Sequence, residues 1–186
     1  MKVIQLYKSE ENLIKKAKQQ NREAQRLLYE KYAPKMLGAC RQYIRDLQYA
    51  EDCMLVGFAK VFKNLHTYKS QGSFEGWIRR IMVRECISFL RRQKDFEFSI
   101  DKFDSVTIPV TMPSDSLTIN ELQELIDMLP DGYKVVFNMF AIEGFKHQEI
   151  AEILKIDVST SKSQLYKARK KLQKSFIELN VLQNGT

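Results

Sequence analysis

Apolar residues recur at steps of three and four along most of the chain, which is the spacing of one face of an α-helix. Ser9, Asn21, Asp46 and Ser73 each stand just before such a stripe, where a short polar side chain caps a helix. The second and longest stripe consists of Leu27, Leu28, Tyr32, Met36, Cys40 and Tyr43. The pattern therefore predicts four helices over residues 9–93.

A polar stretch, HTYKSQGS, separates the third predicted helix from the fourth. Gly72 lies within it and tolerates the positive φ that a tight loop requires. Beyond residue 117 the helical spacing resumes, and one helix is closed by Pro130. The next, DGYKVVFNMFAIEG, is predicted to end near Gly144.

Residues 94–116 break the helical pattern. They contain Pro109 and Pro113 among serine, threonine and aspartate residues. Proline removes a backbone donor and restricts the residue before it, so we interpret this segment as a linker. The predicted fold is all-α, with two small helical domains, 9–93 and 117–178, joined by a flexible linker.

The stretch HQEIAEILKIDVSTSKSQLYKARKKL predicts a helix-turn-helix at the end of the second domain. Its first helix is short, with an inner face of Ile150, Ala151 and Leu154. Residues 155–158 are too few for anything but a tight turn, after which Asp157 or Ser159 can cap the second helix. The inner stripe of that second helix consists of Leu165, Ala168, Leu172 and Phe176.

The chain is basic, with a formal net charge of +7 and a pI of about 9.2. In many proteins such a positive surplus serves only solubility, and in others it binds nucleic acid or an acidic membrane surface. The distribution of the charge along the chain decides between these roles. From Ser159 to Phe176 there are six Lys or Arg residues and no acid. The alternative is a helix whose cationic end complements its own dipole. DNA binding is favoured because the turn, the caps, the apolar stripe and the outward polar residues agree.

The second helix of the pair projects polar side chains away from its apolar stripe, at Thr160, Ser163, Gln164 and Lys167. In helix-turn-helix proteins this N-terminal half enters the major groove, where Gln pairs with adenine and Lys with guanine. Lys170 lies further along the helix, where cations contact phosphates and set affinity rather than sequence preference.

A second basic surface is predicted on the fourth helix. Arg80, Arg84 and Arg91 share a face, since steps of four and seven nearly close whole turns. Phe74 and Trp77 stand at the start of this helix beside the polar loop, where aromatic rings next to cations suit single-stranded bases. The alternative for both rings is burial in the core.

Other chemistry finds little support in the sequence. The three cysteines have no CxxC spacing, which argues against a disulfide framework or zinc site and favours buried positions for Cys40, Cys53 and Cys86. His66 and His147 lack spaced partners and receive no metal role. We find no phosphate-cradling glycine loop and no nucleophile–base set, so neither an enzyme nor a cofactor is expected. With no apolar run as long as a membrane span, the expected location is the cytoplasm.

Together these segments resemble an extracytoplasmic-function (ECF) sigma factor, a small two-domain initiation factor of the sigma-70 family. The motifs that carry the resemblance are AED at Ala50–Asp52, GWIRRI running to FLRR within Gly76–Arg92, LPDGYKVVFNMF at Leu129–Phe140, and the helix-turn-helix stretch. It covers about residues 9–93 and 117–178.

The resemblance implies promoter-specific transcription initiation. The first domain would bind core RNA polymerase and recognise and melt the −10 element, while the second would read the −35 element. The implied −35 residues are Ser159, Thr160, Lys162, Ser163, Gln164, Lys167 and Lys170. The implied −10 residues are Lys69, Phe74, Trp77, Arg80, Arg84 and Arg91, with the loop Lys69–Ser73 receiving a flipped base. The implied polymerase contacts are Asp52, Leu55, Val56 and Phe58.

The partners implied are core RNA polymerase, promoter DNA and an anti-sigma factor, with the chain acting as a monomer and not inserting into a membrane. Because the polymerase performs all phosphoryl transfer, the resemblance implies no catalytic residue here.

Three features depart from the family pattern. Leu55 and Val56 stand where a glutamine and, two positions further on, an acid are usual, and Arg84 stands where asparagine is common. Lys155 occupies a turn position that often holds glycine, which costs about 1 kcal/mol if its φ is positive. The apolar pair leaves an alternative open: a stand-alone helix-turn-helix regulator that binds duplex DNA without polymerase.

Overall fold

A computed structural model describes residues 9–93 and 118–184. Within these ranges the fold is all-α, as predicted, and no strand occurs. The predicted linker, residues 94–116, lies outside the described residues, as do residues 1–8. The chain divides into two compact units between Phe89 and Leu90, and the fourth helix continues across this division.

The N-terminal unit is built from four α-helices and one 3₁₀ turn. These elements are α1 (Glu10–Lys18), α2 (Arg22–Arg41), α3 (Leu47–Asn64), the 3₁₀ turn (Leu65–Thr67) and α4 (Phe74–Arg92). The four predicted caps are confirmed, since a backbone amide three residues on donates to the side chain of Ser9, Asn21, Asp46 and Ser73. Each cap satisfies an amide that the helix itself leaves without an acceptor.

The helices α3 and α4 approach each other closely at Gly57. A Cβ added at this glycine would lie 2.3 Å from the buried Sδ atom of Met82. The same packing places all three free cysteines in the core, as predicted, at no more than 4% exposure. Hydrogen bonding to Cys40 and Cys53, together with burial, raises the pKa of the Cys86 thiol. The Cys86 thiol is therefore protonated, and all three buried side chains fill space as small apolar groups.

The C-terminal unit contains α5 (Ile119–Asp127), α6 (Asp131–Phe137), a π-helical segment (Asn138–Ile142), α7 (His147–Leu154) and α8 (Val158–Asn184). Its core joins α5 to α8 through Leu125, Ile126, Leu129, Ala168 and Leu172. The predicted helix end near Gly144 is confirmed, since the π-helical segment stops at Ile142 and Gly144 has a φ of 72°. α8 begins at Val158, so Ser159 lies inside its first turn rather than at its cap.

None of the described helices is both long and apolar enough to cross a bilayer. α8 is 27 residues long but strongly polar, and its inner face is the one that closes the core of the C-terminal unit.

Candidate nucleic-acid interface

The predicted arginine face of α4 is present in the structure. Arg80, Arg84 and Arg91 are all exposed residues, and the opposite face of the helix buries Ile78 and Met82 completely. The Arg91 guanidinium also donates to the Leu154 carbonyl at the end of α7. A helix with one apolar face sealed in the core must present its remaining positions outward. Arg80, Arg84 and Arg91, with Lys69 and Trp77, are called the −10 surface below.

Phe74 is not available to stack on a base, which corrects its predicted role. It is 2% exposed, and its ring centroid lies 5.6 Å from that of Tyr32 and 5.1 Å from that of Tyr68. Trp77 is half-buried and stacks on Phe74 at 5.8 Å. The aromatic pair is thus divided: Phe74 belongs to the core and supports Trp77, which keeps part of its surface in solvent.

The loop before α4 is held in a defined shape by its own hydrogen bonds. The Tyr68 hydroxyl donates to the Gly72 carbonyl at 2.9 Å, and the Lys18 amine donates to the Tyr68 carbonyl at 2.6 Å. Gly72 has the predicted positive φ, at 83°, and Ser70 also lies in the left-handed region, at 57°. Lys69, which immediately precedes Ser70, is exposed.

A cavity of about 430 Å³ lies between this loop and α1. It is lined by Ser70 and by residues of and just before α1: Ser9, Glu11, Asn12, Ile14, Lys15 and Lys18. The lining is mostly polar side chains, with two lysines among them. Sequence spacing could not reveal it, because its walls are more than 50 residues apart along the chain.

The predicted polymerase contacts are only partly at the surface. Asp52 is exposed, and Leu55 and Val56 retain 51% and 46% of their accessible surface. Phe58 is 3% exposed and packs edge-on against Tyr29 at 4.8 Å, so its prediction as a contact residue is wrong for this conformation. Asp52, Leu55 and Val56 are called the α3 patch below.

The outer face of α8 carries exposed Ser159, Lys162 and Lys170, with Thr160 and Lys167 half-buried. These five are called the −35 surface below. Ser163 and Gln164 were predicted to project outward, and the structure corrects this: they are 2% and 1% exposed. The Ser163 hydroxyl folds back along its own helix and donates to the Thr160 carbonyl at 3.0 Å. Base reading by either side chain requires a conformation in which it is uncovered.

Two residues with no predicted DNA role, His147 and Arg169, lie beside this surface. The His147 imidazole stacks on Phe140 at 4.6 Å, and the Arg169 guanidinium lies 5.6 Å from the centroid of the same ring. His147 Nδ1 is 2.9 Å from Ser161 Oγ, which joins α7 to α8. Burial, then the nearby charges of Lys162 and Arg169, lower the pKa of His147. Lys162 and Arg169 are seven residues apart and therefore share a face of α8. This spacing is the sequence signal that could have indicated a DNA-facing position for Arg169.

The chain matches two protein-family models, one in each unit. Residues 28–96 match sigma-70 region 2, and residues 119–172 match sigma-70 region 4. The RNA polymerase sigma-H factor of Pseudomonas aeruginosa is 22% identical over 179 residues, covering 89% of this chain and 93% of its own. The ECF RNA polymerase sigma factor SigW of Bacillus subtilis is 25% identical over 179 residues, covering 89% and 96%.

Two solved structures share the fold. The sigma factor RpoE of Bartonella quintana, solved in complex with the anti-sigma factor NepR, superposes with a TM-score of 0.52 at 19% identity, covering 80% of this chain and 94% of its own. CnrH, solved with the cytosolic domain of CnrY, gives a TM-score of 0.51 at 17% identity, covering 89% and 96%. With regions 2 and 4 both matched in order, the chain belongs to the sigma-70 family as an ECF sigma factor, which directs promoter-specific transcription initiation.

Proposed function

We propose that the −10 surface and the −35 surface contact the two elements of one promoter. The observation that carries this proposal is a pair of exposed cationic helix faces, Arg80–Arg84–Arg91 on α4 and Lys162–Lys170 on α8. Exposed Lys and Arg neutralise phosphates and fix the register of a protein on DNA, and neighbouring polar groups read bases. On α8 the residues proposed to read the −35 element are Ser159, Thr160 and Lys167, joined by Ser163 and Gln164 once uncovered.

At the −10 element, the loop Lys69–Ser73 is proposed to receive a base flipped out of the duplex. Removing a base from the stack costs a few kcal/mol, which contacts in a pocket must offset. The cavity beside Ser70 has room for a planar ring and polar atoms to meet it, and Trp77 supplies a partly exposed aromatic surface. Arg84, where the family commonly has asparagine, is proposed to contact a phosphate.

The α3 patch is proposed to contact core RNA polymerase. Two adjacent apolar side chains that each keep about half of their surface in solvent are an unfavourable arrangement for an isolated helix. Burial of both against a partner would remove this apolar surface from water and would favour binding by about 25 cal/mol per Å² buried. The departure from the family's polar pair would then be an apolar form of the same contact.

We further propose that the chain supplies no catalytic group, works as a single copy in the cytoplasm, and is held inactive by an anti-sigma factor. Sigma factors generally leave the chemistry to the polymerase. The two structural relatives were solved bound to an anti-sigma factor and to the cytosolic domain of a second protein.

A reconstituted transcription assay with bacterial core RNA polymerase tests this assignment. Transcript starts mapped after overexpression supply the template, and the expected result is initiation that depends on both the chain and the −35 and −10 sequences. Core polymerase should be retained by the immobilised chain. Binding of duplex DNA without retention of polymerase would instead indicate the stand-alone regulator.

A further inference from the structure

Three basic side chains lie close together where α8 faces α7: His147 from α7, and Lys162 and Arg169 from α8. Lys162 and Arg169 are exposed and lie one heptad apart, and His147 is close enough to both for their charges to disfavour its protonated form. Between Val158 and Phe176 the sequence of α8 contains no acid. An electropositive spot on a stretch of helix that carries no carboxylate is suited to a phosphate.

The imidazole is held in place from two sides. Its Nδ1 atom is engaged with Ser161 Oγ at 2.9 Å, and Ser161 is completely buried. Its ring lies on Phe140 with an interplanar angle of 24°, and the guanidinium of Arg169 approaches that same phenyl ring. Nε2 is therefore the nitrogen placed to meet a ligand, and the ring does not have to be ordered when the ligand arrives.

The charges around His147 set the sign of its response. The charged groups from α8 that act on it are both cations, Lys162 and Arg169. On its own helix, the Glu149 carboxylate accepts from the Lys146 amide at 2.8 Å and thereby caps α7. The π-helical segment contributes the neutral ring of Phe140. Free His147 is consequently neutral at physiological pH, whereas a phosphate beside it would favour the imidazolium.

We propose that His147 and Arg169, together with Lys162 at the edge of the −35 surface, form a phosphate-binding site, and that the imidazole takes up one proton when a DNA phosphate occupies it. This inference rests on the proposed −35 role of α8 and adds to it a contact from α7. It makes the affinity for promoter DNA depend on pH through one residue.

The sign of the linkage follows from the two states of the site. The free chain holds the pKa of His147 below its usual value of about 6.5, and a bound phosphate raises it. DNA affinity is then lowest at alkaline pH, rises as pH falls through the pKa of the bound state, and levels off below the pKa of the free state. Each unit of difference between the two pKa values contributes up to about tenfold in affinity.

The test measures the dissociation constant of the reconstituted holoenzyme for a fluorescein-labelled duplex from pH 5.5 to 8.5. The duplex contains the −35 element and ends before the −10 element. His147→Asn keeps a polar group at the Nδ1 position facing Ser161 but never becomes charged, and His147→Lys is charged throughout. The chain contains two histidines, so His66→Asn on the exposed 3₁₀ turn is the matched control. Comparing each variant with the wild type cancels titration in the polymerase.

The expected result is that wild-type affinity, relative to His147→Asn, rises about three- to tenfold between pH 8.5 and 5.5. His147→Lys should bind at pH 8.5 about as tightly as the wild type does at pH 5.5, and His66→Asn should follow the wild-type curve. Parallel curves for wild type and His147→Asn, with both holoenzymes binding, would overturn the phosphate site and leave the sigma function intact. A wild-type holoenzyme that fails to bind the duplex at every pH would overturn the proposed −35 role as well.

Discussion

At the residue scale, Lys155 shows how a local conformation is imposed by the elements around it. It closes α7 in the left-handed region, with φ 54° and ψ 49°, and its amide donates to the Ala151 carbonyl. A side chain with a Cβ is crowded in this region, which costs about 1–2 kcal/mol. The left-handed conformation is required because only residues 155–157 are available to turn the chain between the end of α7 and the start of α8 at Val158.

Lys155→Gly is therefore expected to raise the free energy of unfolding by about 1 kcal/mol, because glycine relieves the strain but adds entropy to the unfolded chain. The midpoint of urea denaturation should increase with an unchanged m-value. Lys155→Ala retains the Cβ and serves as the control. If Ala stabilises as much as Gly, the lysine side chain and not the backbone is responsible.

At the element scale, the pairing of α3 with α4 depends on a missing side chain. Gly57 faces Met82, whose side chain is completely buried at the crossing. Glycine within a helix costs about 1 kcal/mol relative to alanine, so its presence inside α3 has to be explained by space. The close approach provides the explanation, and it fixes α4, with its arginine face, relative to α3.

Gly57→Ala is expected to destabilise the chain by about 1–2 kcal/mol, since overpacking outweighs the gain in helix propensity. In a Met82→Ala background the same substitution should instead be stabilising, because the added methyl group enters the space that the thioether leaves. A double-mutant cycle of unfolding free energies measures the difference. The same sign in both backgrounds would show that Met82 does not limit the crossing.

The outer face of α8 also belongs to the element scale, because its exposed cations are proposed to contact the same DNA. Lys170→Ala is expected to weaken holoenzyme binding to duplex DNA by a similar factor for all sequences and to reduce the slope of log affinity against log salt by about one. Lys170→Arg retains the charge and should retain the slope. A slope unchanged by the alanine substitution would remove Lys170 from the phosphate contacts.

At the scale of the whole molecule, the proposed function requires assembly with core polymerase, and the α3 patch is the surface proposed to make that contact. Leu55→Gln combined with Val56→Glu restores polar side chains on the α3 patch. Both positions are exposed, so the free energy of unfolding should change by less than about 0.5 kcal/mol. The affinity for core polymerase, measured by titrating labelled chain with core enzyme, should change several-fold.

Ile177→Gln provides the control for that measurement, because Ile177 is as exposed as Leu55, at 53% against 51%, and belongs to no predicted contact set. The control should leave polymerase affinity unchanged. Equal affinities for the wild type and the Leu55/Val56 variant would place the α3 patch outside the interface.

Much of this protein follows from its sequence alone, because helix periodicity, caps and charge distribution are local properties. The caps at Ser9, Asn21, Asp46 and Ser73, the helix-turn-helix and the arginine face of α4 could be predicted in this way. Each depends on residues within a few positions of one another, and the resemblance to ECF sigma factors needed only the order of these segments.

Only the tertiary structure decided which polar and aromatic side chains are reachable. Phe74, Phe58 and Gln164 have positions compatible with a surface, yet they are buried, because exposure depends on segments distant in sequence. For the same reason, the sequence could not predict the cavity at Ser70 or the grouping of His147 with Lys162 and Arg169. Periodicity fixes the direction of a side chain relative to its own helix, whereas burial and electrostatic environment depend on what packs against that helix.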